Sequence, residues 1–453
     1  MVEYAAERVL HSATRSADAH KKPMSYRPKV FYGWWVIAAC SLGLFLSTGP
    51  VVVFSFGVFL KSLIQDFHAG RGAISFAFTL HNLTGPICVP LVGRAIDRFG
   101  ARRVILIGTA IFALILISSE LLGTRIAYLY LFYMALGLVS GGASPVPYGA
   151  VASRWFDQRR GLALGLMMLG LGMGAITLPL IAHRLIVIFG WRTAYATFGC
   201  AVLLICLPVL AALIKDDPRQ KGLMPDGVVR VEGAERGEHD LEGMSWRDIW
   251  HQPIFWLLIG AFFLAGGSVH ACVLHMPALL TDRGASAQGG AVASAIVGVA
   301  VLIGRVGTGY LLDRFLASRL AMILFGGASV GIALLWVGSA GKVGLFAAFL
   351  IGLGMGGEGD IIAYSVSRYF GLRAFGTAYS YAFGAFVLGG AAGVFLMAAG
   401  FDSTHSYTLP LGAFFFAMLI AAGLMSRLGP YRYAARRAEP APGVANAGAA
   451  IQA

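Results

Sequence analysis

Long apolar stretches separated by short polar ones repeat along the chain from residue 31 to residue 427. Each apolar stretch has about the 20 residues that an α-helix needs to cross the hydrocarbon core of a bilayer. None shows the alternation of apolar and polar positions that is typical of a transmembrane β-strand. The pattern therefore predicts twelve membrane-spanning helices. The predicted spans are residues 31–60, 73–93, 104–121, 127–152, 161–188, 194–214, 253–280, 288–312, 320–339, 343–366, 375–399 and 407–427.

The composition agrees with an all-α membrane protein. Of the 453 residues, 58% are hydrophobic and 13% are charged, whereas soluble globular chains are roughly 45–50% apolar and about 25% charged. The mean hydropathy is +0.74. The 60 glycines suit helices that pack closely in lipid, because small side chains let backbones approach one another. These observations exclude an ordinary soluble fold.

The distribution of basic residues predicts the orientation of the helices. The net charge of +13 would, on its own, also suit a nucleic-acid-binding protein. With the N-terminus in the cytoplasm, however, 27 of the 35 Lys and Arg residues fall on the cytoplasmic side. This excess is typical of membrane proteins, whose cytoplasmic loops are rich in basic residues. We therefore expect a multi-pass protein of the inner (plasma) membrane, with both termini cytoplasmic and no nucleic-acid partner.

A long polar stretch divides the spans into two groups of six. Two motifs of the first group recur in the second: "SRWFDQR" (153–159) as "SRYFGLR" (367–373), and "GRAIDR" (93–98) as "GYLLDR" (309–314). Two parallel six-helix halves are an architecture of secondary transporters, with the substrate near the midplane between them. The predicted organisation is a cytoplasmic tail over 1–28, a six-helix half over 29–214, a cytoplasmic loop over 215–252, a second half over 253–428 and a disordered cytoplasmic tail over 429–453.

Several of these motifs resemble those of a known family. "GRAIDRFGARR" (93–103) is similar to the loop signature of the major facilitator superfamily. "RWFDQRRGLALGLMMLGLGMG" (154–174), "FYGWW" (31–35) and "GWR" (190–192) resemble more narrowly the monocarboxylate carriers and the bacterial oxalate/formate exchanger group. The superfamily resemblance extends from about residue 30 to about residue 430. It implies the twelve-helix fold in two pseudo-symmetric halves and transport by alternating access.

The loop signature also suggests a gate. Asp97 lies close in sequence to Arg94, Arg98, Arg102 and Arg103, and an Asp-Arg pair recurs as Asp313 and Arg314. Ion pairs at the cytoplasmic rim could hold the two halves together and break when the gate opens. The alternative is that these arginines only set the topology. The predicted gating residues are Gly93, Asp97, Arg98, Gly100, Arg102, Arg103, Asp313 and Arg314.

Three charged residues lie well inside the predicted spans: Arg305, Glu358 and Asp360. An arginine at the centre of a membrane helix costs about 2.5–3.5 kcal/mol on the insertion scale, so such residues usually face a cavity or a partner. Counted from the cytoplasmic helix ends, Arg305 and Glu358 lie at nearly one depth. Glu358 and Asp360 are about 200° apart around their helix, so at most one faces the cavity squarely. The sequence does not decide which.

Two interpretations of these charges remain open. In one, Arg305 pairs with an acid and only stabilises the second half, although desolvation offsets much of that attraction. In the other, the charges form the substrate and coupling site. The family resemblance implies the second, because Arg305, followed by Gly309, falls where the carboxylate carriers keep their anion-binding arginine. A guanidinium can hold a carboxylate through two parallel hydrogen bonds.

Departures from the family narrow the prediction. Animal monocarboxylate carriers have an acid one turn before this arginine and a lysine deep in helix 1. Here those places hold Val301 and the lysine-free 51–56, and Lys61 lies at the outer end. Glu358 or Asp360 would therefore have to carry the coupling proton. The second cation that the oxalate exchangers imply is absent from the eleventh span, so one carboxylate suits this site better than two.

Uncharged and weakly basic polar residues inside the spans complete the candidate set. Histidines can carry protons and tyrosine hydroxyls can donate hydrogen bonds to an anion. The alternative for each is an ordinary hydrogen bond between helices, and this applies also to His275 and Tyr364. The predicted substrate contacts besides Arg305 are Tyr148, His270, His81, Asn82, Tyr379 and Tyr381.

The sequence thus predicts a monomeric secondary active transporter, not an enzyme, without cofactor or metal. Its expected partners are a small organic acid, protons and the lipid bilayer. We predict a monocarboxylate substrate, alternating access and proton symport. The alternatives are an efflux antiporter for drugs or metabolites, a dicarboxylate/monocarboxylate exchanger, and a sensor that binds without transporting. The fifth span lacks the Gly-Pro of the efflux families. The identity of the acid, aliphatic or aromatic, and the direction of transport stay open.

Overall fold

Twelve long helices dominate the computed structural model, which describes residues 31–227, 241–338 and 341–434. Within these ranges no β-strand forms, and all twelve helices are long and apolar enough to span a membrane. The predicted tail over 1–28 and the end of the C-terminal tail lie outside the described residues. The helices are α1 (Tyr32–Val53), α2 (Gly72–Phe99), α3 (Ala101–Leu121), α4 (Ile126–Trp155), α5 (Arg160–Phe189), α6 (Trp191–Leu213), α7 (Pro253–Asp282), α8 (Gln288–Leu312), α9 (Ala317–Trp336), α10 (Gly341–Phe370), α11 (Phe375–Thr404) and α12 (Thr408–Ser426).

The predicted loop over 94–103 is wrong. Helix α2 continues to Phe99 and α3 begins at Ala101, so Gly100 alone makes the turn. Its φ of 87° is a conformation that side chains with a Cβ rarely adopt. The acid and the basic residues of this motif therefore lie on rigid helix ends, which fixes the direction of each side chain.

Two of the spans are interrupted rather than continuous. In α1 the α-helix ends at Phe45, and a wide turn over Gly49–Val53 follows before a separate helix, Phe56–Phe67, begins. In α4 the chain breaks after Ser140 and restarts at Pro145. Proline lacks a backbone N–H and is tolerated at the first position of a helix, where that donor has no partner in any case. Pro145 therefore marks the point where α4 restarts.

The two six-helix halves contact each other mainly where α2 meets α11 and α5 meets α8. Glycines make both crossings possible. A Cβ at Gly165 of α5 would lie 2.7 Å from the carbonyl oxygen of Arg305, and a Cβ at Gly376 of α11 would lie 2.7 Å from the carbonyl oxygen of Gly93. No side chain fits at those distances. The backbones of the two halves therefore touch at two equivalent places.

One end of the bundle holds residues 94–103, 154–160, 215–227 and 314–319, and we call it the basic end. Both described parts of the central segment pack there. Asp226 accepts hydrogen bonds from the backbone N–H groups of Asp157 and Gln158, at 2.9 and 2.8 Å. The N–H of Leu372 donates to the carbonyl oxygen of Glu242 at 2.8 Å. The central segment is thus attached to both copies of the repeated motif.

Candidate substrate site and gate

Arg305 lies in α8 at the surface where the two halves meet. Its side chain is buried, with 8% of the residue exposed. The Nε atom lies 3.9 Å from the position that a Cβ on Gly172 of α5 would occupy. Among the described residues, neither Nε nor Nη1 has a hydrogen-bond partner. The guanidinium therefore presents unused donors beside the opposite half.

Asp360, rather than Glu358, lies on the side of α10 that faces Arg305. A Cβ on Gly356 of the same helix would lie 3.1 Å from the backbone nitrogen of Arg305. Asp360 follows Gly356 by about one turn and so shares this face, whereas Glu358 lies about 200° away from Asp360. The electrostatic interactions of Arg305 agree, because Asp360 contributes most and Glu358 least among its three anionic or phenolic neighbours.

Tyr379 of α11 completes this part of the interior. It lies in electrostatic range of both Arg305 and Asp360 and is almost fully buried. A Cβ on Gly149 of α4 would lie 2.9 Å from its Cε1 atom, so the ring reaches the first half. Met168 of α5 approaches from the same side. We call Arg305, Asp360 and Tyr379, with Met168 and Gly172 opposite them, the central site.

Met168 was not predicted from the sequence. A Cβ on Gly359, next to Asp360, would lie 2.9 Å from its Cε atom. Its side chain is an adaptable apolar surface of the kind that lines binding sites. Nothing in the sequence distinguishes it from its neighbour Met167, because both belong to one apolar glycine-rich helix.

The charges of the central site are buried without forming an ion pair. None of the ion pairs found at 4.0 Å or less among the described residues involves Arg305. All four carboxylate oxygens of Glu358 and Asp360 are buried and lack a hydrogen-bond partner in the same part of the chain. The predicted structural ion pair is therefore not formed. Unpaired buried charges cost several kcal/mol each, a cost that a bound carboxylate and bound protons would reduce.

The remaining substrate candidates of the first half lie apart from the central site. Tyr148 packs against α1, where a Cβ on Gly43 would lie 2.7 Å from its Cε1 atom. The His81 ring stacks on Phe78, 6.1 Å between centroids, and its Nδ1 is buried without a hydrogen-bond partner among the described residues. Asn82 follows it and is half-buried. Tyr148 and His81 contribute to the packing of the first half in this arrangement.

In the second half, His270 and Tyr381 also lie outside the central site. The Nδ1 atom of His270 lies 2.9 Å from the carbonyl oxygen of Gly266, and the ring packs against Phe386. Tyr381 lies at the basic end, where its hydroxyl accepts a hydrogen bond from Arg94 at 3.2 Å. The reason is helical periodicity. Tyr379 and Tyr381 are two residues apart and face nearly opposite directions.

Asp97 closes the α2–α11 crossing, although not through the predicted ion pairs. Its carboxylate accepts hydrogen bonds from the backbone N–H groups of Gly376 and Thr377, both at 2.8 Å, and from the Thr377 hydroxyl at 2.6 Å. It thereby caps α11 of the opposite half. The first N–H groups of a helix have no partner within it and attract an anion. Among the described residues Asp97 forms no ion pair at 4.0 Å or less with the expected basic residues Arg94, Arg98, Arg102 and Arg103.

Asp313 makes the equivalent contact at the α5–α8 crossing. Its two carboxylate oxygens accept hydrogen bonds from the backbone N–H groups of Gly161, at 2.7 Å, and Leu162, at 3.0 Å. It therefore caps α5 of the first half from the end of α8. Burial raises the pKa of the Asp313 carboxyl to about 6, although these two donors and the Arg368 guanidinium act in the opposite direction.

The basic members of the gate motif have other partners. The Arg98 guanidinium lies 5.2 Å from the Phe99 ring centroid, and that of Arg314 lies 4.0 Å from the Tyr310 ring centroid. The backbone N–H of Arg102 donates to Asp216 at 2.7 Å. Exposed cations of this kind add little to a closed gate. The closed gate is stabilised instead by the two aspartate caps and the glycine crossings.

A half-buried ion pair joins the two copies of the repeated motif and was not predicted. Arg368 of the second copy donates to the Asp157 carboxylate of the first at 2.6 Å. The second copy has Gly371 where the first has Asp157. Only one of the two symmetry-related pairs can therefore form. The repeat itself was the available signal, since it placed both residues at the same helix end.

A metal site is not formed by the described residues, in which no three His, Cys, Asp or Glu side chains come close enough to hold an ion. The five cysteines are all free thiols.

A profile of the Major Facilitator Superfamily matches residues 36–394. The uncharacterised MFS-type transporter YcxA of Bacillus subtilis is 25% identical over 370 residues, which is 78% of this chain and 85% of the relative. Monocarboxylate transporter 12-B of Danio rerio is 23% identical over 317 residues, which is 66% of this chain and 65% of the relative.

Comparison with solved structures identifies the fold alone. The chain is similar to the proton:xylose symporter XylE, with a TM-score of 0.69 at 16% sequence identity. The match covers 88% of this chain and 96% of XylE. This agrees with the twelve-helix fold in two halves that the hydrophobic pattern and the internal repeat predicted.

Proposed function

The chain belongs to the Major Facilitator Superfamily, and on that premise we propose that it is a secondary active transporter of small organic anions. The proposed substrate is a monocarboxylate, and the proposed mode is proton symport by alternating access. The location that the charge distribution predicts is the inner membrane, with both termini cytoplasmic. The basic end is then the cytoplasmic end.

The observation that carries the proposal is the buried, unpaired guanidinium of Arg305 at the interface of the halves. Its free Nε and Nη1 atoms could donate two parallel hydrogen bonds to a carboxylate, which is the geometry that a guanidinium favours. Helix α11, which faces this region, contains no Lys or Arg over Phe375–Thr404. One cation matches one carboxylate. The similarity to a protein described as a monocarboxylate transporter supports the same substrate class.

Asp360 is the proposed carrier of the coupling proton, because it shares the helix face next to Arg305. With Asp360 ionised and no substrate bound, the charges of this pair cancel. Binding a proton alone leaves a net positive charge in the membrane interior, and binding a carboxylate alone leaves a net negative one, and each is costly there. Binding both restores neutrality. The empty and the fully loaded sites are therefore the two states that can reorient.

Glu358 has a different proposed role because it lies about 200° around α10 from Asp360. Its carboxyl group is fully buried, and no described residue satisfies its oxygens. A neutral carboxylic acid is far less costly to bury than a carboxylate. We assign it as a second proton site inside the second half, not as a direct partner of the substrate.

Alternating access would require the basic end to open. In the arrangement described here the Asp97 and Asp313 caps hold that end closed, and the glycine crossings bring the backbones together below the central site. In this arrangement a substrate would therefore reach or leave Arg305 through the opposite end of the bundle, in either direction of net transport. Opening the basic end would break both caps at once, because each joins a helix of one half to a helix of the other.

Three alternatives remain distinguishable. An exchanger of dicarboxylates would need a second cation near Arg305, which α11 does not supply. An efflux antiporter would load from the basic end and release protons inward. A sensor would bind the acid without moving it. The two caps favour a device that opens and closes, and hence a transporter over a sensor.

The test is uptake by proteoliposomes that contain the purified full-length chain. A panel of labelled aliphatic and aromatic monocarboxylates, dicarboxylates and uncharged analogues would be offered with and without an inward proton gradient. We expect at least one monocarboxylate to accumulate only with the gradient. Accumulation of dicarboxylates without a gradient would favour exchange, and binding without any uptake would favour the sensor. Transport of uncharged compounds alone would contradict the proposal.

A further inference from the structure

An open-sided pocket of about 410 Å³ lies at the basic end, away from the central site. Three elements form its walls: α2, α11 and the short helix Trp246–Trp250 of the central segment. The side chains lining it are aromatic or basic, and no carboxylate is among them. They are Arg94, Trp246, Arg247, Trp250, His251 and Tyr381.

The pocket is preformed by ring stacking. Trp246 stacks on Tyr381 with centroids 4.9 Å apart and an interplanar angle of 16°. Trp250 meets Tyr381 edge to face at 5.8 Å. Arg94 closes the floor through its hydrogen bond to the Tyr381 hydroxyl. The short helix is held in place by these rings, so the basic groups are positioned before any ligand arrives.

The basic side chains of the pocket have N–H donors that no described acidic side chain engages. Among the described residues Arg247 forms no ion pair at 4.0 Å or less, and Arg94 donates only to a neutral hydroxyl. The nearest acid on the short helix, Asp248, is engaged by the Ser245 hydroxyl at 2.7 Å. His251 can donate a hydrogen bond in either protonation state. Together these donors form a site for an anion with several acceptor oxygens.

The surroundings of the pocket place it at the bilayer surface. Trp250 and Trp256 are 38% and 48% exposed, and their rings pack on one another at 4.7 Å. Exposed tryptophans at a helix end are typical of the lipid headgroup level. Basic pockets between membrane helices on the cytoplasmic side bind anionic lipid headgroups. The pocket therefore meets the membrane where phosphate groups are concentrated.

We propose that this pocket binds a phosphate monoester or diester group, supplied by the headgroup of an anionic phospholipid. The ligand would contact both halves, since Arg94 belongs to α2 and Tyr381 to α11. It would lie one helical turn from the contact between Asp97 and Thr377. An occupied pocket therefore stabilises the closed basic end. Lipid composition becomes a regulator of the gate.

The test uses the purified full-length chain in detergent and three ligands. They are dioctanoyl phosphatidylglycerol, which is anionic, dioctanoyl phosphatidylcholine, which is zwitterionic, and sodium phosphate. Melting temperature and dissociation constant are measured for the wild type, Arg247→Gln and His251→Gln. The matched control is Arg319→Gln, which removes an exposed arginine of the basic end outside the pocket. The exposed positions of Arg247 and His251 leave the packed interior unchanged.

We expect saturable binding of phosphatidylglycerol that Arg247→Gln weakens about fivefold, the effect of one basic residue near an anionic surface. Arg319→Gln should bind as the wild type does, and phosphatidylcholine should not bind. If sodium phosphate binds as tightly with the same dependence on Arg247, the phosphate site is supported and its source is soluble. Phosphatidylglycerol binding that neither Arg247→Gln nor His251→Gln weakens, or that Arg319→Gln weakens equally, overturns the proposal.

Discussion

Replacing Asp97 by asparagine should loosen the whole basic end, not only the start of α11. The carboxylate accepts three hydrogen bonds from Gly376 and Thr377. The amide of an asparagine has one acceptor oxygen, and its NH₂ group would face a backbone donor. The asparagine therefore weakens the cap without removing it. A buried backbone donor left without its acceptor costs about 1–3 kcal/mol, and the negative charge that favours the helix N-terminus is also removed.

The combined change of about 1–3 kcal/mol shifts the equilibrium between closed and open states by roughly 5- to 150-fold. The assay is amide hydrogen exchange of the full-length chain, followed by mass spectrometry of peptides from both crossings. In Asp97→Asn, exchange at the start of α11 should accelerate. If the gate opens as one unit, exchange at Gly161 and Leu162, capped by Asp313, should accelerate by a similar factor.

The matched control is Asp402→Asn, which makes the same chemical change at an exposed position at the opposite end of α11. It should leave both peptides unchanged. Substrate binding should be altered less than turnover in Asp97→Asn, because the central site keeps all its groups. Faster exchange confined to α11, with the α5 peptide unaffected, would refute a concerted gate and reduce Asp97 to a local cap. Lost binding with normal turnover would also be incompatible with the reasoning.

Three further outcomes are expected. Reporters fused after Lys221 and at the C-terminus should read cytoplasmic, and one near Asp402 periplasmic; a periplasmic signal after Lys221 would overturn the orientation. Gly165→Ala should open the α5–α8 crossing and speed amide exchange there, because its Cβ would meet the Arg305 carbonyl oxygen. Gly326→Ala, which has open space around it, should leave exchange unchanged. Equal effects of the two variants would exclude the crossing as the cause. The raised pKa of Asp313 means that the closed state binds a proton more readily than an open one. Closure should therefore strengthen as pH falls from about 6 towards 4, measured by exchange corrected for its intrinsic pH dependence. This trend should be reduced in Asp313→Asn.

Features that depend on composition along one helix were predictable from the sequence. The lengths of the apolar stretches located all twelve spans, because the bilayer sets a minimum length. A single arginine in an apolar run marked Arg305 as a residue inside the membrane. The repeated motifs placed equivalent residues of the two halves at the same end of the bundle, which the Asp157–Arg368 pair reflects.

Features that depend on helix rotation and on backbone partners were not predictable from the sequence. The assignment of Asp360 to the Arg305 side rests on Gly356, which packs directly on α8. Tyr379 and Tyr381 look alike in the sequence, yet only Tyr379 reaches the central site. The partners of Asp97 and Asp313 are backbone N–H groups, which every helix N-terminus possesses. No pattern of side chains could have distinguished these caps from ion pairs with neighbouring arginines.

The central claim is that Arg305 holds the carboxylate of the substrate. The most direct measurement is the dissociation constant of the transported acid for Arg305→Lys, determined by calorimetry on folded, purified protein. Arg283→Lys serves as the matched control outside the central site. An ammonium retains the charge but cannot form two parallel hydrogen bonds. Arg305→Lys should therefore bind about ten- to a hundredfold more weakly, the equivalent of about 1.5–3 kcal/mol for a charge-assisted contact. Wild-type affinity in Arg305→Lys, with Arg305→Gln stable only when Asp360→Asn is added, would show that Arg305 serves the structure alone and would contradict the account.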